Sequence, residues 1–148
     1  MIPQANDFSK RLERHIERYI EEELKLYPTF KKALQELEQE YLDILHKGRQ
    51  FSLIPGTSEE DKVSRAALRM REIEAESLDK TKRKERIDRG LAILTNLERR
   101  YVKVSYFEFN EFTTYESIMA DLHIGNRNKV AGIKQDALYK FAIIFNLV

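Results

Sequence analysis

Arg127, Asn128, Lys129, Lys134 and Gln135 lie close together near the C-terminal end, and each is a side chain that reads nucleic acid. Arg and Lys donate to guanine edges and to phosphates, while Asn and Gln pair with adenine through one donor and one acceptor. A helix from Asn126 with Val130, Ile133, Ala137 and Phe141 on its buried face turns these polar side chains to the opposite face. Ala131 and Gly132 share that face, and their small size lets a backbone come close to DNA. A second basic group, Lys80, Lys82, Arg83, Lys84, Arg86 and Arg89, reads either as a solvated helix face or as phosphate contacts. Within it Lys82, Arg83, Lys84 and Arg86 are the second choice for phosphate.

Other chemistries find little support. His15, His46 and His123 are scattered, and none forms a His-Glu-x-x-His pair. Asp43 and His46 have the acid-x-x-His spacing of di-iron bundles, but they stand without partner carboxylates. Glu21-Glu22-Glu23 reads as a solvated face, and Glu59-Glu60-Asp61 as a first turn that suits the helix dipole. The chain has no cysteine, which excludes thiolate nucleophiles, disulfides and cysteine-based metal sites. No catalytic residue, metal or cofactor is expected, and nothing gives positive support for an enzyme.

Helical elements must position the reading face. Asp7 can cap a first helix carrying Phe8, Leu12, Ile16, Tyr19 and Ile20, and Pro28 is expected to end it. A second helix through Phe30, Leu34, Leu37, Tyr41 and Leu45 toward Gly48 would then close an antiparallel hairpin. Gly48, Pro55 and Gly56 bracket a loop, and Thr57-Ser58-Glu59-Glu60 offers a capping box for a third helix with Val63, Ala67, Met70 and Ile73. The apolar pattern lapses at residues 78–81, which are expected to be a linker. Beyond it Ile87, Leu91, Leu94 and Leu97 restore a stripe, and Thr95 with Glu98 offers another capping box. A further helix through Tyr101 and Tyr106, a connection at residues 107–112, and a short helix at residues 114–122 follow. Thr114 opens that last element and completes the candidate DNA-binding set. A turn at residues 123–125 leads into the reading helix, whose end, residues 141–148, is apolar nearly all round. A surface of that kind needs a cover, either the N-terminal hairpin of the same chain through Phe8, Leu12, Ile16 and Tyr19 or a second subunit, which is the favoured expectation.

These elements give an all-α expectation: an N-terminal helical region over residues 1–79 for oligomerisation or partner binding, and a helix-turn-helix domain over residues 80–148. Five Gly and three Pro in 148 residues leave few places where a helix must break. The net charge of +1 conceals an asymmetry, since residues 1–79 carry 13 Lys/Arg against 17 Asp/Glu and residues 80–148 carry 13 against 8. The second half is the one suited to a polyanion. No apolar run approaches the roughly 20 residues that span a bilayer, and residues 1–7 lack a signal-peptide pattern, so a cytoplasmic protein without membrane contact is expected.

Residues 87–141 resemble region 4 of bacterial sigma factors. The likeness rests on Leu91, Leu94, Leu97-Glu98-Arg99, Tyr101, Tyr106, Ile118, Leu122, Ile124, Val130 and Ala137-Leu138. With Ala137-Leu138-Tyr139-Lys140-Phe141-Ala142 near its end, the stretch is also similar to the ArpU-like phage regulators. The resemblance implies a sigma-like helix-turn-helix that binds double-stranded DNA, regulates phage or mobile-element late or lysis genes, and has RNA polymerase as a further partner. A homodimer is the expected assembly. The rival expectation is a helical interaction or packaging protein, such as a small terminase subunit.

Overall fold

The structure, a computed structural model, describes residues 12–51 and 59–148, and for residues 49–51 and 59–61 only the helical backbone. The described chain is helical, with no strand among the described residues: α1 (Arg14–Phe51), α2 (Glu59–Ile93), α3 (Asn96–Val102) with a π-helical turn (Lys103–Phe107), α4 (Tyr115–Leu122) and α5 (Arg127–Ile144). No described helix is long and apolar enough to cross a membrane. Two compact units divide it. One holds the described residues up to Pro28 together with Lys84–Val148, and the other is Thr29–Arg83.

Three expected breaks are absent. Pro28 lies inside α1, although a proline inside a helix costs about 3 kcal/mol through its missing N–H and its clash with the carbonyl four residues back. Burial of Ile20 and Leu24 before it and Phe30 after it offsets that cost. Gly48 is likewise helical, so α1 runs on to Phe51. Residues 78–81 form no linker, because α2 passes through them unbroken. Nothing from Thr57 to Arg89 is Gly or Pro, and i,i+4 ion pairs support the helix where the apolar pattern lapses, Asp79 with Arg83 at 3.6 Å and Asp88 with Lys84 at 2.9 Å. The antiparallel hairpin therefore forms between α1 and α2 and not within the first 48 residues. The expected cap at Asp7, the apolar contact of Phe8 and the capping box at Thr57 lie outside the described residues.

In the first unit, α3 packs on α4 and α5. Thr95 caps α3 as its spacing predicts: Thr95 Oγ1 accepts from the Glu98 N–H at 3.2 Å, and the Glu98 carboxylate accepts from the Thr95 N–H at 2.8 Å. The wider π turn after α3 keeps Ser105 and Tyr106 buried beside Tyr101 and Val102. Tyr106 donates to Glu21 at 2.9 Å, and Phe107 stacks on Tyr27 with ring centroids 4.7 Å apart, so the turn is fastened to α1.

The chain end also differs from expectation. α5 stops at Ile144, and Asn146 takes a left-handed backbone (φ 62°). The N–H of Asn146 then bonds Ile143 O and that of Leu147 bonds Ala142 O, which is how a left-handed residue satisfies the last carbonyls of a helix. Phe145 is buried within its own chain, edge-on to Tyr19 at 6.4 Å and under the Arg86 guanidinium at 4.1 Å. Of the two expected covers the N-terminal helix, through Tyr19, is the one that meets Phe145, and not the favoured second subunit, while Ile143 stays half exposed.

Candidate nucleic-acid interface

α4 and α5 are joined by residues 123–126, and each end of the joint has a local cause. Thr114 caps α4: its hydroxyl accepts from the Ser117 N–H at 3.1 Å, and Ser117 Oγ accepts from the Thr114 N–H at 2.9 Å. His123 ends α4 in the left-handed region (φ 56°), with its own N–H on Ala120 O and the Ile124 N–H on Met119 O. Glycine is the usual residue at such a position, and histidine is tolerated there. Asn126 then starts α5 by accepting from the Asn128 N–H at 2.9 Å.

On α5, Val130, Ala137, Leu138, Phe141 and Ala142 are buried. Arg127, Asn128, Lys129, Ala131 and Gly132 are exposed, and a Cβ at Gly132 would meet nothing within 4 Å. Arg127 lies over the Tyr115 ring at 5.3 Å and pairs with Glu116 at 3.1 Å, while the Tyr115 hydroxyl donates to Arg127 O at 3.1 Å. Both sides of the Arg127–Glu116 pair are largely in solvent, so a phosphate can compete with the carboxylate at small cost.

The remaining predicted residues divide. Lys134 turns toward α1, 3.0 Å from Glu17 and 3.9 Å from Glu21. Burial lowers its pKa and these carboxylates more than restore it, so it stays a cation inside a neutralised cluster. Gln135 is half-buried. The Thr114 hydroxyl is engaged as a cap. Of the second basic group, Lys82 is exposed, Lys84 is tied to Asp88, and Arg83 pairs with Asp79 and stands over Phe30 at 4.9 Å. Arg86 faces inward, bonded to Glu23 at 3.1 Å and to the Tyr19 hydroxyl at 2.5 Å. Burial opposes its charge, and those two partners more than restore it. The structure thus brings Arg127, Asn128 and Lys129 together on one open surface and gives Lys134 and Arg86 internal partners.

Sequence reasoning passes over one group. Arg99, Arg100 and Lys103 line an open cleft with Val104, Glu108 and Asp121. The two arginines are exposed, and Lys103 stands 3.6 Å from Glu108. Their spacing at one helix end is the signal that could have found them. No family model matches the chain, and neither a curated protein nor a solved structure shows significant similarity to it.

Proposed function

We propose that this protein is a sequence-specific DNA-binding transcriptional regulator that reads the major groove of double-stranded DNA with the first half of α5. The observation that carries the reading is the open face of Arg127, Asn128, Lys129, Ala131 and Gly132 on a helix start braced by α4. A short helix, a tight turn and a second helix with donors at its N-terminal end is the arrangement that sets base-reading side chains in a groove. Arg127 and Asn128 take the base edges and Lys129 a phosphate, while Arg99 and Arg100 meet the flanking backbone. Lys134 serves as an anchor between α5 and α1. The resemblance of residues 87–141 to sigma region 4 and to the ArpU-like regulators supports phage or mobile-element late genes as targets, and RNA polymerase as a second partner. The test is selection of bound fragments from a random or genomic DNA pool at stated salt. A recurring motif is the expected outcome; a pool with no enriched sequence contradicts the reading.

A further inference from the structure

Arg127 is the first residue of α5, and the first turn of α4 meets it at both its backbone and its side chain. The Tyr115 hydroxyl donates to the Arg127 carbonyl at 3.1 Å, and the Tyr115 ring lies against the guanidinium with its centroid 5.3 Å away. On the same guanidinium, Nη2 donates to Glu116 Oε1 at 3.1 Å. Neighbouring residues of one helix turn thus hold the main chain, the flat face and one edge of a single arginine.

Neither helix start depends on these contacts. Thr114 caps α4 with Ser117 closing the box, and Asn126 caps α5, so the side chains of Tyr115 and Glu116 are left over from capping. Tyr115 is 40% exposed, and both charges of the Arg127–Glu116 pair stand largely in solvent, where an ion pair adds little to stability. Their effect falls on Arg127 itself. A long, flexible side chain that is already oriented before it meets a ligand loses less freedom on binding.

The carboxylate beside the guanidinium selects what it takes. Donors at Nη1 and Nε remain beyond the one given to Glu116. A phosphate bound there must displace the carboxylate or lie next to its negative charge. The major-groove edge of guanine instead offers two neutral acceptors, O6 and N7, which match the arginine fork and leave the pair with Glu116 closed. Once DNA excludes water from this surface the closed pair also grows stronger. We propose that Tyr115 and Glu116 are positioning residues that aim the Arg127 fork at one guanine of the DNA site. The inference rests on the reading of α5 as the helix in the major groove, and it adds the base that Arg127 takes and the α4 residues that make the choice selective.

Fluorescence anisotropy of the full chain tests it, with a duplex selected from a random pool and with duplexes that put each other base pair at its guanine position. The wild type binds the guanine duplex about tenfold more tightly than the others. Arg127→Lys keeps the charge and loses the fork, so that preference disappears. Glu116→Ala and Tyr115→Leu each lower the same preference several-fold without weakening binding to unselected DNA, since neither removes a cation. Helical circular dichroism is retained in all of them, because these side chains are exposed. A guanine preference that either α4 substitution leaves unchanged, a loss of affinity equal for every duplex, or a motif with no guanine that Arg127→Lys affects overturns the inference while the DNA-reading function stands. A pool in which no sequence is enriched contradicts that function, and this inference with it.

Discussion

A methyl group at Gly90 would lie 2.4 Å from two atoms of the Phe141 ring, and Phe141 is fully buried. The ring therefore sits directly on the backbone of α2, and only glycine allows that approach. Gly90→Ala gains about 1 kcal/mol of helix propensity and loses about 1–3 kcal/mol to overpacking. A net drop in urea midpoint is the expected outcome, and an unchanged or raised midpoint would show that the ring can move aside. A lone glycine inside a helical pattern is the sequence signal for such a close approach, yet the partner ring stands 51 positions away and no spacing rule reaches it. Arg86 and Lys134 teach the same lesson from the charged side. Their residue types speak for DNA, and their positions on the helices turn them to the carboxylates of α1.

Helix starts were legible because they depend on local chemistry. Thr95, Thr114 and Asn126 each cap the helix that follows, and side-chain capping needs no knowledge of the rest of the fold. Helix continuity was not legible in the same way. Pro28, Gly48 and the lapse at residues 78–81 are local arguments for a break, and packing and i,i+4 ion pairs overrule them. Within these elements Glu98 does two jobs, closing the α3 capping box and holding Lys140 of α5 at 2.6 Å. Burial raises the pKa of its carboxyl, while the bond from Lys140 and that from the Thr95 N–H more than reverse this and hold it below the usual value of 4.5. A depressed folded pKa contributes stability that is present above the unfolded value and is lost as pH falls below it. The wild type should therefore lose stability below about pH 4.5. Glu98→Gln should be about 2 kcal/mol less stable at neutral pH and show a flatter acid limb in urea titrations. An unchanged acid limb would remove Glu98 from this role.

At the scale of the molecule, residues 1–79 carry the acidic excess and residues 80–148 the basic one. Much of the acidic part goes to the hairpin and to partners within the first unit, as Glu17 and Glu21 beside Lys134 and Glu23 beside Arg86 show. The exposed start of α5 carries Arg127, Asn128 and Lys129, with the Glu116 carboxylate of α4 paired to Arg127 in solvent, and the central claim is that this face binds DNA. Fluorescence anisotropy with a selected duplex, repeated across a salt series, tests that claim most directly. The logarithm of affinity should fall linearly with the logarithm of salt. The substitutions Arg127→Ala and Lys129→Ala together should weaken binding and reduce the slope by about one for each phosphate left without its cation, while Lys134→Ala leaves the slope unchanged. Binding that ignores salt, or an affinity and slope untouched by the paired substitution, would contradict the account.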